Sequence, residues 1–132
     1  MAEKQRILIV DDVEANRFVL RDIIREMDCQ PILTENGAQA LKMIPHMEPE
    51  LIILDIAMPE MDGYEVCREV RKNNSTPIIM LTAKGETFDK ILGLELGADD
   101  YVTKPFTPLE LMARVKSQLL AADDFEHRPL LD

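Results

Sequence analysis

The chain lacks several residue types that build common sites, and each shortage excludes a class of protein. There are two cysteines, Cys29 and Cys67, whose separation gives neither a disulfide framework nor a zinc motif and indicates two reduced thiols. The two histidines, His46 and His127, stand apart, so a histidine metal site is not expected. No apolar run approaches the roughly 20 residues that span a bilayer, and the polar start has no signal-peptide core. We therefore expect a cytoplasmic protein.

Positive charge is scarce as well. Against 15 Lys and Arg residues there are 25 Asp and Glu residues, which gives a formal net charge of −10 and a pI near 4.6. A surface of this charge repels nucleic-acid phosphates and anionic lipids. We expect no direct nucleic-acid binding by this domain and no membrane binding, although a separate basic domain could still bind nucleic acid.

What the chain does have is enough apolar material for one folded domain: 132 residues, of which 46% are hydrophobic. Apolar segments occur at residues 7–10, 31–33, 51–54, 77–81 and 101–102. The first, third and fourth are continuous and rich in Ile, Leu or Val, which is typical of strands buried on both faces in a parallel sheet. The second and fifth are weak and suit strands near the sheet edges.

Helical patterns separate the apolar segments. Asp62 is a candidate N-cap for the third pattern, and Thr107 followed by Pro108 opens the fifth. Pro45 is expected to end the second, and Gly97 is a plausible end for the fourth. The apolar faces are Phe18, Ile23, Ile24 and Met27; Ala40, Leu41 and Ile44; Tyr64, Val66, Cys67 and Val70; Phe88, Ile91, Leu92 and Leu96; and Leu111, Val115 and Leu119.

Five strands that alternate with five helices predict a doubly wound α/β domain with a five-stranded parallel sheet and helices on both faces, a flavodoxin-like fold. The strand order 2-1-3-4-5 is the expectation for that fold class. We assign residues 1–121 to the domain. Residues 122–132 show no clear periodicity and are predicted to be a linker or C-terminal tail.

Polar residues follow four of the predicted strands: Asp11 and Asp12 the first, Asp55 the third, Thr82 the fourth and Lys104 the fifth. Open α/β sheets bind ligands at this edge, where the strands end. Two carboxylates about 4 Å apart repel by about 4 kcal/mol at an effective dielectric constant of 20, so protons or a cation must offset the charge. A hard divalent cation fits the oxygen ligands, and Mg²⁺ is the expected one.

Thr82 and Lys104 are not needed by the metal. One hydroxyl donor and one ammonium together suit an incoming phosphoryl group, and Asp55 would be the nucleophile because carboxylates can form aspartyl phosphates. Each residue alone has an ordinary structural explanation, such as a solvated turn, a helix cap or a surface lysine. The prediction rests on their coincidence at one edge of the sheet.

These residues lie in the segments ILIVDD, IILDIAMPEMDG, PIIMLTA and GADDYVTKPF, and in this order the segments closely resemble the receiver domain of two-component response regulators. The resemblance extends over about residues 7–120. It implies a phosphoprotein of a phosphorelay in which Asp55 accepts a phosphoryl group from a histidine kinase or a phosphotransfer protein. Such a domain catalyses only its own phosphorylation and dephosphorylation, so we do not expect an enzyme in the usual sense.

The resemblance also implies individual roles around the metal. Asp12 and Asp55 would bind Mg²⁺ directly, Asp11 would act through water, and Ala57 would contribute its backbone carbonyl. Lys104 would pair with the phosphoryl group.

Further roles follow around the phosphoryl oxygens, which the Thr82 hydroxyl and the Ala83 backbone N–H would bind. The peptide bond between Lys104 and Pro105 would be cis. Thr82 and Tyr101 would form the switch, since Thr82 is drawn toward the phosphoryl group and opens space for the Tyr101 ring. The surface of the fourth helix, fifth strand and fifth helix would then change. For Tyr101, local packing of a partly exposed strand residue remains the alternative.

A second resemblance concerns charged residues on that surface. They resemble the set that pairs receivers of winged-helix transcription regulators into homodimers: Lys90, Glu95, Asp100, Glu110, Arg114 and Lys116. The expected cross-pairs are Lys90 with Glu110, Asp100 with Arg114, and Glu95 with Lys116. An ordinary solvated face is the alternative. The segment DDVEANRFVL instead resembles receivers attached to diguanylate cyclases, phosphatases or hybrid kinases, so the output stays open.

Three other functions compete with the phosphoacceptor switch. A flavodoxin-like cofactor binder needs a phosphate loop after the first strand, whereas DDVEAN is acidic. A haloacid-dehalogenase-type phosphatase carries a second Asp two residues after its nucleophile, where this chain has Ala57. The third is a phosphorylation-independent interaction module of the same fold, which we keep as the alternative function.

Overall fold

The computed structural model describes residues 3–83 and 96–127, with side chains to residue 122 in the last helix. The five strands are β1 (Arg6–Val10), β2 (Gln30–Thr34), β3 (Leu51–Asp55), β4 (Ile78–Ala83) and β5 (Asp100–Lys104). The helices within these ranges are α1 (Glu14–Glu26), α2 (Gly37–Met47), α3 (Gly63–Arg71) and α4 (Pro108–His127). The α4 helix is the fifth predicted helix. The fourth predicted helix lies almost entirely outside the described residues.

The sheet is parallel throughout and has the predicted order β2-β1-β3-β4-β5. Its three central strands are the three continuous apolar runs, and their apolar side chains are buried on both faces. The two weak segments form the edge strands β2 and β5, as expected. Because all strands run the same way, their carboxyl ends meet at one edge of the sheet.

Two apolar layers flank the sheet because successive strand side chains point to opposite faces. The layer under α1 and α4 includes Ile9, Ile53 and Val102. The layer under α2 and α3 includes Leu8, Leu54 and Met80. The predicted Asp62 cap is present, since its Oδ1 accepts the Glu65 N–H at 3.0 Å. Thr107 caps α4 in the same way through the Glu110 N–H at 3.1 Å.

The predicted apolar face of α1 is wrong at one position. Phe18 is 41% exposed, and Leu20 is buried in its place. With about 100° per residue, Leu20, Ile23 and Ile24 share a face, whereas Phe18 stands about 200° away from Leu20. The Arg21 guanidinium lies over the Phe18 ring, 4.6 Å from its centroid.

Two predicted helix ends also differ from the structure. Pro45 does not end α2, which continues to Met47 and stops where Glu48 adopts a left-handed φ of 48°. Because Pro45 has no N–H, the helix lacks one backbone hydrogen bond. This bond is missing from the last turn, where few further helical hydrogen bonds follow it. At the other end of the chain, α4 runs to His127, so residues 122–127 continue a helix where we predicted a tail. None of the helices in the described ranges is long and apolar enough to cross a membrane.

Candidate functional site

Three charged side chains leave the sheet on the same side, at the edge where the strands end. Asp11 follows β1, Asp55 is the last residue of β3, and Lys104 is the last residue of β5. Side chains two positions apart on a strand share a face. The residues two positions earlier all belong to the apolar layer under α1 and α4: Ile9, Ile53 and Val102. The alternation of the strands therefore brings the three charges together.

The ammonium of Lys104 bridges the two carboxylates. Its Nζ lies 3.2 Å from Asp55 Oδ1 and 3.7 Å from Asp11 Oδ2. The Asp11 side chain is fully buried and that of Asp55 is 6% exposed, while the Lys104 side chain is 31% exposed. Asp11 Oδ1 accepts the Val13 N–H at 2.9 Å. Asp11 Oδ2 has no hydrogen-bond donor, because 3.7 Å to Lys104 is an ion-pair distance only.

A third carboxylate, that of the exposed Asp12, completes an acidic cluster. Oxygen atoms of Asp11, Asp12 and Asp55 all lie within 4.8 Å of one another, the only such acidic group in the part of the chain that the structure describes. Among the residues of ranges 3–83 and 96–122, one ammonium faces three carboxylates here, which leaves two negative charges uncompensated by these residues. The buried Asp11 oxygen without a donor and the all-oxygen set both fit a hard divalent cation such as Mg²⁺.

The surroundings raise the pKa of Asp55. Burial is the main cause, because it removes water from the charged form, and the neighbouring Asp11 carboxylate adds to it. The Lys104 ammonium and the Ala57 backbone N–H lower the Asp55 pKa in part. The carboxylate is thus held in an unfavourable electrostatic state that a cation would relieve.

A cavity of about 660 Å³ opens beside Asp55. Asp11, Ala57, Ala83 and Lys104 contribute to its walls, as the sequence analysis expected for a common site. Pro105, predicted only as part of the cis peptide bond, also lines the cavity, and further walls come from Asn16, Val19, Leu20 and Phe106, which we did not predict. These four residues belong to α1 or to the β5–α4 connection, and nothing in the local sequence indicates that the two segments meet.

Arg17 is a further residue that sequence reasoning missed. Its guanidinium donates to the Asp11 carbonyl oxygen at 2.8 Å and so ties the first turn of α1 to the β1–α1 loop. The bond fixes the backbone that carries two of the three acidic residues.

The predicted switch residues lie on the opposite side of the sheet from Asp55. Their strand neighbours Leu81 and Val102 belong to the layer under α1 and α4. Because successive strand side chains point to opposite faces, Thr82 and Tyr101 lie on the other face. Thr82 is buried and does not line the cavity; its hydroxyl is 3.5 Å from the Thr103 hydroxyl. The Tyr101 ring is half-buried against the layer under α2 and α3. The peptide bond between Lys104 and Pro105 is cis.

The predicted dimer residues are only partly described. Lys90 and Glu95 lie outside the described residues. Arg114 donates to both carboxylate oxygens of Asp100 at 3.2 Å within the same chain, where we predicted a pair between two chains. Two further members, Glu110 and Lys116, are exposed on α4.

Comparison with known proteins identifies the family and the fold. The model of the response regulator receiver domain family matches residues 7–116. The chain is a response regulator receiver domain. "Probable transcriptional regulator ycf27" of Pyropia yezoensis is 49% identical over 121 residues, which cover 92% of this chain and 50% of that protein. "DNA-binding response regulator MtrA" of Mycobacterium leprae is 45% identical over 121 residues, with 92% and 54% covered.

A solved structure supports this assignment by the likeness of its fold. A response regulator from Chloroflexus aurantiacus superimposes with a TM-score of 0.86 at 38% identity and covers 89% of this chain and 99% of that one. The chain spans about half the length of the curated relatives it matches. Receiver domains are signalling proteins of two-component systems rather than enzymes in the usual sense, and their family implies histidine kinases as partners and an acidic pocket that generally binds Mg²⁺.

Proposed function

We propose that this receiver domain is a phosphoacceptor switch that takes a phosphoryl group onto Asp55 with the help of Mg²⁺. The observation that carries the proposal is the cluster of Asp11, Asp12 and Asp55 oxygens within 4.8 Å, with the Lys104 ammonium 3.2 Å from Asp55. The donor would be a phosphohistidine on a histidine kinase or a phosphotransfer protein.

The chemistry is an exchange of one bond to phosphorus for another. A carboxylate oxygen of Asp55 attacks the phosphorus, a P–O bond forms, and the P–N bond to the donor imidazole breaks, so that the imidazole leaves and an aspartyl phosphate remains. Mg²⁺, when bound, supplies charge neutralisation between the carboxylates and the phosphoryl oxygens. Asp11, Asp12, Asp55 and the Ala57 carbonyl are the residues that would hold it.

Lys104 and Ala83 act on the transferred group. The Lys104 ammonium, already 3.2 Å from Asp55, pairs with the new phosphoryl charge, and the Ala83 N–H donates to a phosphoryl oxygen. The cavity beside Asp55 has an apolar wall at Val19, which is 53% exposed, and at Phe106. This wall gives the donor protein an apolar surface to pack on while its phosphohistidine reaches Asp55.

The phosphoryl group would persist as a signal because the chain lacks the general acid that phosphatases carry two residues after their nucleophile. Ala57 stands where a phosphatase of the haloacid-dehalogenase type has its second aspartate. Attack of water on the phosphorus would break the bond to Asp55, release inorganic phosphate and return the free carboxylate, without help from an acid at residue 57.

The signal would cross the sheet through Thr82. Phosphorylation adds about two negative charges and three acceptor oxygens. The hydrogen bond between Thr82 and Thr103 is long at 3.5 Å, so little is lost when the Thr82 hydroxyl turns toward the phosphoryl group. Tyr101, two residues before Thr103 on β5, would then repack, and the surface around β5 and α4 would change. This is a population shift between two forms.

Control of a DNA-binding output is supported by the names of the relatives, while the acidic charge of this domain argues that such binding would need a separate domain. A homodimer through the β5–α4 surface has weaker support. The pair of Asp100 with Arg114 already exists within one chain, so dimerisation would exchange this ion pair rather than add one.

The test is phosphorylation by a small donor, followed by measurement of the mass and the oligomeric state of the protein. The wild-type protein and Asp55→Asn are incubated with Mg²⁺ and acetyl phosphate, and intact mass and light-scattering chromatography are recorded. We expect the wild type to gain one phosphoryl group and the variant none. A phosphorylated dimer would support the homodimer, and a phosphorylated monomer would argue against it.

The contrary outcome is also informative. If neither acetyl phosphate nor phosphoramidate adds mass to the wild type in the presence of Mg²⁺, Asp55 is not a phosphoacceptor. The phosphorylation-independent interaction module would then be the better reading.

A further inference from the structure

The loop that follows Asp55 closes onto its own beginning. The Ile56 carbonyl oxygen accepts two backbone hydrogen bonds, from the Met58 N–H and from the Gly63 N–H, each at 3.0 Å. The Ile56 N–H donates to the Leu81 carbonyl of β4 at 3.3 Å. The 56–62 loop therefore leaves the sheet and returns to one backbone position directly behind the candidate phosphoacceptor.

Gly63 closes this loop by a contact that no other residue could make. A Cβ atom at Gly63 would lie 2.6 Å from the Asp55 carbonyl oxygen and 2.8 Å from the Ile56 Cα. Both neighbours are backbone atoms, which cannot turn aside as the end of a side chain can. A side chain at residue 63 would have to push back the backbone that carries Asp55.

Helix preference does not explain this glycine. Gly63 is the first residue of α3, where alanine is the better helix former by up to about 1 kcal/mol. Its φ is not in the left-handed region, unlike that of Gly97. The requirement for glycine is thus one of space against Asp55 and Ile56.

The residues held by this contact are the ones that the proposed mechanism uses. Ala57 lines the cavity beside Asp55 and lies between Ile56, which is bonded to β4, and Met58, which is buried. We infer that Gly63 is a positioning residue for the phosphoacceptor site, which it serves by fixing the backbone of Asp55 and Ala57 before metal or phosphoryl group arrives. The inference rests on the proposed function.

Gly37 offers a matched control. It is also the first residue of a helix behind an Asx cap, since Asn36 Oδ1 accepts the Gln39 N–H at 2.8 Å. A Cβ at Gly37 would meet Val66 Cγ2 at 2.5 Å and Met61 Sδ at 3.1 Å. These are side-chain atoms, so Gly37→Ala crowds the apolar layer under α2 and α3 without pressing on the backbone of Asp55.

The experiment compares wild type, Gly63→Ala and Gly37→Ala in three measurements: the free energy of unfolding in urea, the Mg²⁺ affinity by calorimetric titration, and the rate of phosphorylation by acetyl phosphate from intact mass. We expect Gly63→Ala to weaken Mg²⁺ binding about tenfold or more and to slow phosphorylation about 100-fold, since small displacements of catalytic groups have effects of this size. Gly37→Ala should keep wild-type affinity and rate even where it loses as much stability.

Three results would overturn the inference. One is a folded Gly63→Ala with the Mg²⁺ affinity and rate of the wild type. Another is an equal loss of both quantities in Gly37→Ala, which would reduce the effect to general destabilisation. A wild type that neither binds Mg²⁺ nor gains a phosphoryl group would overturn the proposed function and this inference with it.

If Gly63→Ala does not fold, amide hydrogen exchange of the wild type decides the question. In EDTA, the Met58 and Gly63 amides should exchange slowly, because the Gly63 contact and the two hydrogen bonds to Ile56 would close the loop by themselves. Fast exchange that slows only after Mg²⁺ is added would mean that the metal, and not Gly63, orders the loop, and would contradict the inference.

Discussion

Replacing Lys104 with methionine removes the cation that bridges the two buried carboxylates and keeps most of the apolar stem. At an effective dielectric constant of 20, the 3.2 Å contact with Asp55 and the 3.7 Å contact with Asp11 each amount to about 4–5 kcal/mol of Coulomb energy. Lys104 is 31% exposed, so solvent screening and the recovered hydration of the carboxylates reduce the net value. We expect Lys104→Met to lose about 2 kcal/mol of unfolding free energy in EDTA at neutral pH.

The loss should depend on pH in a defined direction. The pKa of Asp55 is raised in the folded state although Lys104 lowers it, so removal of Lys104 raises it further. A raised pKa means that the associated stability is present below the unfolded pKa of about 4 and is lost as the pH rises through the folded pKa. The difference between wild type and Lys104→Met should therefore be small near pH 4.5 and grow toward neutral pH.

Urea unfolding followed by circular dichroism measures this difference at several pH values, in EDTA and in Mg²⁺. Because Mg²⁺ supplies another cation, it should stabilise Lys104→Met more than wild type. The control is Lys72→Met, which breaks an exposed pair with Glu69 at 2.5 Å and should cost at most about 0.5 kcal/mol. A loss in Lys104→Met that equals the control, or that does not change with pH, would refute the reasoning.

Three other substitutions or probes test separate contacts. Arg71→Ala should lower the unfolding free energy by about 2–3 kcal/mol, because the guanidinium donates to the Gly97 carbonyl at 2.8 Å and to Asp99 Oδ2 at 2.6 Å; an unchanged urea midpoint would contradict this. Asp12→Asn should change stability in EDTA by less than about 0.5 kcal/mol, since Asp12 is exposed, yet weaken Mg²⁺ binding in a calorimetric titration; equal affinity would remove Asp12 from the metal site. The pKa of the Cys67 thiol is raised, mainly by burial, so iodoacetamide should label it slowly in the native protein and rapidly in urea, and fast native labelling by mass would show an accessible thiolate.

The sheet and the acidic edge could be predicted because their signals are local. Continuous apolar runs mark strands buried on both faces, and a charge directly after such a run has to lie at the strand end. Asp11 and Asp55 follow from this argument without any knowledge of their neighbours. The same argument places Lys104, although its distance to either carboxylate comes only from the structure.

Contacts between distant segments could not be predicted. The bond from Arg17 to the Asp11 carbonyl depends on the angle at which α1 leaves the sheet, and the Phe106 wall of the cavity depends on how the β5–α4 connection folds back. The misplacement of Phe18 has another cause. An aromatic residue near an apolar stripe suggests core, but the helical period puts Leu20 on the buried face. Asp100 could be predicted as the partner of Arg114, but the sequence does not show whether the pair forms within one chain or between two.

The sheet separates two groups of functional residues onto its two faces. Asp55 and Lys104 open to the side of α1 and α4, while Thr82 and Tyr101 lie one residue out of phase and open to the other side. A donor protein would pack on the cavity side, whereas the repacking of Tyr101 would begin on the other side and reach the β5–α4 surface around the edge strand β5. Substitutions at Val19 on α1 could therefore change which kinase is accepted without touching the packing of Tyr101, and the reverse. A duplicated copy of such a domain could acquire a new input or a new output one surface at a time.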